Sequence, residues 1–165
     1  MKQPPMNHYA GPDSPADSPE QRHVKVFADD DKKLIERSGF FFLATTDADG
    51  WPECSYQGGL SGFVRVVDEN NLAFPCYDGD EMFRSLDDIR VNPKVGLLFI
   101  DLEEPRRLRL IGTASIHEDD PLLKGFDGAQ LLVRVQVAHV FPSRTRSIHR
   151  WWLVENPESV QELDQ

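Results

Sequence analysis

The chain has 165 residues, of which 39% are hydrophobic and 28% are charged, and its formal net charge is −10. This length suits one ordinary domain with a single core, and no apolar run in it is long enough to span a bilayer. The negative charge argues against nucleic acid or an anionic membrane as the main partner, because both favour a basic surface. Residues 1–21 lack an apolar signal core, so we expect a cytoplasmic location.

Composition divides the chain into three parts. Residues 1–22 combine five prolines with Asp and Ser, a composition typical of a flexible arm that buries little apolar surface. Residues 23–155 are predicted to form one domain, and residues 156–165 a C-terminal tail. The two cysteines, Cys54 and Cys76, match neither disulfide nor metal-site spacing, so we expect small, reduced core residues.

The predicted elements begin with a short helix over residues 29–39, which has acids in its first turn, apolar Leu34 and Ile35, and a glycine at its end. Strand patterns follow at 40–46, 52–58, 62–67, 72–77, 94–101, 107–117, 131–141 and 148–154. A hairpin turn at 47–50 joins the first two, and residues 119–129 are predicted to be a short helical or looped piece. Regularly spaced strands with few helices favour a mainly β, antiparallel barrel over a layered α/β fold.

One further helix is predicted over residues 81–91, between the strands at 72–77 and 94–101. It follows a turn that contains Asp80, a candidate helix cap, and its first turns hold Arg84 and Ser85. A helix N-terminus offers unpaired backbone N–H groups and the positive end of the helix dipole. This segment therefore predicts an anion site.

Arginines are clustered in two strand segments. The first group is Arg106, Arg107 and Arg109, and the second is Arg144, Arg146 and Arg150. Arginine binds compact anions such as phosphate through two parallel hydrogen bonds. Surface ion pairs with Glu103, Glu104 and Glu155 are the alternative, which charge alone favours.

No catalytic triad, zinc motif, Walker loop or dinucleotide fingerprint is present. Gly58 and Gly59 end a strand where a ligand can approach the backbone closely, although a simple bulge explains them equally well. Trp151 and Trp152 suit either a flat wall for a planar ring or an ordinary packed interface. His149, beside Arg150, has more polar neighbours than the other histidines, but a lone strand histidine is more often structural.

Together these segments resemble the pyridoxamine 5'-phosphate oxidase-like FMN-binding proteins over residues 34–154. The resemblance is carried by FFLATTDADGWP at 41–52, SYQGG at 55–59, GFV at 62–64, LAFP at 72–75, YDG at 77–79, MFRSL at 82–86, NPKVGLLF at 92–99, RLR at 107–109 and GTA at 112–114. Each piece is short, but the combination is specific.

The resemblance implies a homodimeric, Greek-key split barrel with FMN in two clefts at the subunit interface. It implies that the flavin phosphate lies at Arg84 and Ser85, and that the partner subunit contributes Arg107, Arg109 and Trp151. The ring is implied to lie along two strands, at Ser55, Tyr56, Gln57 and Gly58 and at Phe74, Pro75 and Cys76. We therefore predict an FMN-dependent oxidoreductase, with NAD(P)H as a possible electron donor and no bound metal.

Three departures from the family pattern bear on the cofactor and the substrate that this chain binds. Gln57 and Asp80 stand where this branch often has Arg and Asn, and Leu60 lies near the position of a substrate-gripping lysine in the true oxidases. In residues 119–129, which supply substrate-phosphate ligands in those enzymes, Lys124 is the one basic residue. Oxidation of pyridoxamine 5'-phosphate is therefore not expected. The alternatives are a non-catalytic module that binds flavin, or haem through a residue such as His149, and a dimeric scaffold with an empty cleft.

Overall fold

The computed structural model describes residues 25–77, 82–101 and 106–144. For residues 143 and 144 it describes the backbone alone. Within these ranges the helices are α1 (Asp29–Arg37), α2 (Phe83–Val91) and the 3-10 helix η1 (Pro121–Gly125). The strands are β1 (Phe40–Thr46), β2 (Pro52–Gly58), β3 (Arg65–Val66), β4 (Asn71–Tyr77), β5 (Lys94–Asp101), β6 (Arg106–His117) and β7 (Ala129–Arg144).

The seven described strands form one antiparallel sheet in the order β2-β1-β5-β6-β7-β4-β3. Strands β2 and β3 form its edges, so the sheet is not closed. The predicted mainly β, antiparallel split-barrel fold is confirmed. The turn between β1 and β2 is also as predicted: Asp47 Oδ1 accepts hydrogen bonds from the N–H groups of Asp49 and Trp51, and Gly50 has φ 87°.

Several predicted boundaries were wrong. Helix α2 begins at Phe83 rather than at residue 81, and its N-cap is Met82, whereas Asp80 lies outside the described residues. The strand expected at 62–67 shrinks to β3, because the chain turns at Gly62, which has φ 88°. In the segment 119–129 only η1 is helical, and β7 extends beyond its predicted range at both ends. The strand predicted at 148–154 lies outside the described residues.

The alternating side chains of the sheet separate a buried inner face from an outer face. On the inner face, the ring of Phe41 lies 5.0 Å from that of Phe74 and 5.1 Å from that of Phe99. Leu34 and Ile35 of α1 are fully buried against this core, as predicted. The fold thus has one principal core, enclosed by the sheet, α1 and α2.

Ion pairs hold α1 against the paired strands β5 and β6. Asp31 Oδ1 lies 2.6 Å from Arg106 Nη2, with exposed fractions of 2% and 14% for the two side chains. Arg37 pairs with Asp101 at the other end of the helix, and Asp101 is the cross-strand partner of Arg106. The glutamates that the charge pattern suggested as partners of Arg106 lie outside the described residues, and within those residues its carboxylate partner, Asp31, is 75 residues away.

Half of the outer face is apolar. Cross-strand pairing on β2, β1, β5, β6 and β7 aligns a lateral row, which we call the outer row: Tyr56, Phe42, Leu98, Arg109 and Phe141. Tyr56 is 63% exposed, and the Arg109 guanidinium lies 4.4 Å from the centre of the Phe141 ring. The parallel row of Cys54, Ala44, Gly96, Ile111 and His139 carries no acidic or permanently charged side chain.

The two cysteines differ in environment. Cys76 is buried, as expected, but Cys54 is exposed, so its prediction as a core residue was wrong. The reason is that β2 is an edge strand and Cys54 lies on its outer face, in register with the exposed Ala44. Among the described residues, none of the helices has the length and apolar character needed to cross a bilayer.

The other half of the outer face is covered by η1 and the turn after it. Phe126 packs with Ala73 of β4 and Leu132 of β7. Asp120 caps η1, because its Oδ1 accepts the Leu122 N–H at 2.9 Å. The same carboxylate accepts two hydrogen bonds from Arg134 of β7, at 2.5 and 3.0 Å. This pair of hydrogen bonds from Arg134 to Asp120, which we call the Asp120 fork, holds η1 against the sheet.

The Asp120 fork should make stability depend on pH. The Arg134 guanidinium lowers the pKa of Asp120, against the opposing effect of burial. Because the folded pKa lies below the unfolded value of about 3.9, the contribution is present above that pH and is lost as the pH falls through the folded pKa. We expect Asp120→Asn to lower the free energy of unfolding by about 1 kcal/mol at pH 7, since Arg134 is partly solvated. Urea unfolding should show this difference shrinking below about pH 4; a difference that stays constant with pH would contradict it.

Candidate functional site

A groove of about 660 Å³ runs along edge strand β2. It is lined by Gly39, Glu53, Cys54, Ser55, Tyr56, Gln57, Gly58, Gly59 and Met82. The groove exists because β2 has a neighbouring strand on one side only, so its inner-face side chains are partly covered. This volume lies in the range of small-molecule sites in proteins.

Three polar side chains of the site form a hydrogen-bonded cluster. Ser55 Oγ of β2 lies 3.0 Å from Ser85 Oγ of α2, and Gln57 Nε2 donates to Ser55 Oγ at 3.0 Å. Alternation along β2 places Ser55 and Gln57 on the same face, and Ser85 lies in the first turn of α2. The fold therefore brings together three of the predicted site residues, although Ser85 is fully buried.

The first turn of α2 also places a cation beside the groove. Arg84 Nε lies 3.7 Å from Glu53 Oε1, with exposed fractions of 70% and 24% for the two side chains. The N-cap residue, Met82, makes no side-chain capping bond, and the first turn contains no acidic residue. The positive end of α2 is therefore uncompensated within its own first turn, unlike that of α1, which holds three aspartates there.

A buried hydrogen bond fixes α2 against the sheet next to this site. Thr45 Oγ1 of β1 donates to Asp88 Oδ2 of α2 at 2.6 Å, and both residues are buried. Thr45 is the cross-strand partner of Glu53. The contact therefore holds the helix that carries Arg84 and Ser85 beside the groove-lining face of β2.

The other predicted site residues lie elsewhere in this protomer. Phe74, Pro75 and Cys76 of β4 are buried and are not among the residues lining the groove. Arg107 and Arg109 of β6 are exposed on the outer face, three strands from β2 in the sheet order. Trp151, Trp152 and His149 lie outside the described residues.

The structure adds two points to the predicted site. A Cβ atom on Gly58 would lie 2.7 Å from the Tyr56 ring, and one on Gly59 would lie 2.6 Å from the Phe63 ring. These glycines thus make room for the protein's own side chains. Glu53 was not among the predicted site residues. It shares the inner face of β2 with Ser55 and Gln57, and strand alternation alone places these three residues on one face.

Solved structures share this architecture. HupZ from Group A Streptococcus superimposes with a TM-score of 0.59 at 19% identity, covering 72% of this chain and 95% of that one. General Stress Protein 26 from Bacillus anthracis gives a TM-score of 0.52 at 18% identity, with coverages of 67% and 88%. At these identities the likeness concerns the fold.

A closer sequence likeness is found in a putative pyridoxamine 5'-phosphate oxidase from Lactobacillus delbrueckii. It has a TM-score of 0.59 and 26% identity, covering 74% of this chain and 98% of that one. Comparison with curated proteins finds no match. The sequence profile of the family described as pyridoxamine 5'-phosphate oxidase matches residues 27–164, which is most of the chain. The chain therefore belongs to the pyridoxamine 5'-phosphate oxidase family.

Proposed function

We propose that the protein is a homodimeric FMN-binding oxidoreductase whose flavin lies in the groove along β2. The observation that carries this proposal is that Met82, the N-cap of α2, lines that groove, with Arg84 of the first turn beside the groove residue Glu53. Family membership supports a flavin-related function. The groove is also large enough for a cofactor that combines a planar ring with a phosphorylated chain.

The donors around the groove fit a flavin phosphate. Arg84 is mostly exposed and makes only a loose contact with Glu53, so it remains available to pair with an incoming anion. The first backbone N–H groups of α2 point along the helix axis toward the same end. Ser55 and Gln57 add neutral donors along β2. We assign the phosphate to Arg84 and the α2 N-terminus.

The outer row supports the proposed dimer. Phe42 and Leu98 are only half-buried, and Ile111, one step further along β6, is 42% exposed. Contiguous apolar surface of this kind on a soluble domain typically marks an interface. A second copy seated there would bring its Arg107 and Arg109 to the site region, which agrees with the contribution that the family resemblance implies.

When bound, FMN would supply hydride or electron chemistry. The role of the chain would be to hold and orient the cofactor through Arg84, Ser55 and Gln57 and to exclude water from its ring through the second subunit. Pyridoxamine 5'-phosphate is not the proposed substrate. Leu60 is 88% exposed and offers no charge, and Lys124 is the one basic residue in the segment 119–129 that would have to bind the substrate phosphate.

The visible spectrum of the purified protein tests the flavin proposal. Flavin bands, present on purification or after titration with FMN, are expected. A Soret band would instead favour the haem alternative, and no chromophore after titration would reject flavin binding. Anaerobic reduction of the loaded protein by NADH or NADPH, followed by reoxidation with candidate acceptors, separates an enzyme from a non-catalytic carrier.

Arg84→Ala should weaken FMN binding by about 10-fold or more, because a charge-assisted hydrogen bond contributes about 1.5–3 kcal/mol. Riboflavin, which has no phosphate, should bind the variant and the wild type equally. Isothermal titration with both ligands measures this difference. Arg90→Ala, at the far end of α2 in an exposed pair with Asp87, is the matched control and should change neither affinity. Equal FMN affinity in Arg84→Ala and wild type would refute the phosphate assignment.

A further inference from the structure

Glu53 has a carboxylate oxygen that no described residue satisfies. Its Oε2 is buried and has no hydrogen-bond partner, the one such side-chain atom among the described residues. Oε1 makes only the 3.7 Å contact with Arg84. Leaving a buried acceptor without a donor costs about 1–3 kcal/mol, and more for a charged group. A protein that retains such a group needs another source of the missing donor.

The neighbouring hydroxyl and amide groups make their hydrogen bonds elsewhere, and none of them reaches Oε2. Thr45, the cross-strand partner of Glu53, gives its hydroxyl proton to Asp88. Gln57 donates to Ser55, and Ser55 is in contact with Ser85. Arg84 is 70% exposed and only loosely placed. Glu53 lines the groove, so a ligand bound there can supply the donor in place of solvent.

The charges around Glu53 limit what that occupant presents to it. A phosphate is mainly an acceptor at neutral pH and would be repelled by the Glu53 carboxylate, and also by Asp88, which lies across Thr45. A hydroxyl group donates one hydrogen bond and carries no charge. Arg84 at the rim is much more exposed than Glu53, so an anion meets Arg84 before it meets the carboxylate.

We propose that Glu53 is a specificity residue that accepts a hydrogen bond from a hydroxyl group on the polyol chain of the ligand. This inference rests on the proposed function, and it divides recognition between two side chains. Glu53 binds the hydroxylated chain, which riboflavin and FMN share, whereas Arg84 binds the phosphate, which only FMN has. Glu53 thereby selects ligands that carry a hydroxylated chain next to an anionic end group.

Titrations of wild type, Glu53→Ala and Glu53→Gln with riboflavin and with FMN test this division. Glu53→Ala should weaken riboflavin binding by about 10-fold, the size expected for a hydrogen bond to a charged group. It should weaken FMN binding by less, because removal of the carboxylate also relieves repulsion of the phosphate. Glu53→Gln retains an acceptor oxygen and should lose less riboflavin affinity than Glu53→Ala. Asp87→Ala, which removes an equally charged but exposed side chain from α2, should change neither affinity.

A second readout uses the protein without ligand. Glu53→Gln replaces a charged buried acceptor by a neutral one, so its thermal unfolding midpoint should equal or exceed that of wild type. An unchanged riboflavin affinity in Glu53→Ala, or tighter binding of both flavins, would overturn this proposal and leave the flavin site in place. Binding of FMN but not riboflavin to wild type would also overturn it. Failure of wild type to bind either flavin would overturn the proposed function itself.

Discussion

Leu98→Asp should convert the proposed dimer into monomers, with the dissociation constant raised about 100-fold or more. Leu98 lies at the centre of the outer row, between Phe42 of β1 and Arg109 of β6. In a lone protomer, an aspartate there faces water and disturbs the core little. In a dimer joined through this face, the carboxylate loses its hydration, and its cross-strand neighbour Arg109 offsets only part of that cost.

The loss of association should also reduce flavin binding, if the partner contributes Arg107 and Arg109 to each cleft. Analytical ultracentrifugation over a range of concentrations measures the dimer, and FMN titration of the same samples measures the site. Ser115→Asp is a suitable control, since Ser115 lies on β6 near the end covered by η1, beside Arg134. Wild type that is monomeric at micromolar concentration, or Leu98→Asp that remains dimeric, would contradict the shared-cleft proposal.

Arg106→Met should lower the free energy of unfolding by about 3–5 kcal/mol, the range seen when one member of a buried ion pair is removed. Asp31 is 2% exposed and would retain its charge without the guanidinium that now lies 2.6 Å away. Arg106 also donates to the Asp30 carbonyl at 3.0 Å, so the substitution additionally loosens the first turn of α1. Unfolding in guanidinium chloride, at neutral pH and fixed protein concentration, measures the change in the free energy of unfolding.

The matched control for Arg106 is Arg90→Met. Arg90 pairs with Asp87 on the surface of α2, at 2.8 Å and with more than half of each side chain exposed. Exposed pairs of this kind typically contribute less than about 1 kcal/mol. Comparable losses in the two variants would mean that burial of Asp31 does not decide the stability of α1 on the sheet.

Local patterns predicted much of this fold. Alternation between Arg107 and Gly112 predicted a strand with arginines on one face, and the turn residues Asp47 and Gly50 marked the first hairpin. The ends of elements were less readable: Asp80 resembles a helix cap, yet α2 starts only after Met82. Cys54 was predicted as a core residue because it has no partner at disulfide or metal-site spacing, and spacing does not reveal which strand lies at a sheet edge.

Long-range pairing was the other limit. Among the described residues Arg106 pairs with Asp31 in α1, which is 75 residues away in sequence. In the candidate site, Arg84 and Ser85 were readable because a helix N-terminus is a local feature. The proposed role of Glu53 depends on its neighbour Thr45, whose hydroxyl group donates a hydrogen bond to Asp88, 43 residues further along the chain. No local pattern contains such information.

The cover that η1 forms over β4 and β7 bears on how many neighbours a protomer can hold. With one outer half covered by Phe126 and its contacts, the apolar patch that the described residues leave on the sheet is the outer row. Two copies that meet through the same patch satisfy each other, so assembly stops at a symmetric pair. If η1 lifted away, each protomer of the proposed dimer would expose a second, unlike apolar surface, which is the condition for open-ended fibres. The hydrogen bonds between Asp120 and Arg134 oppose that opening.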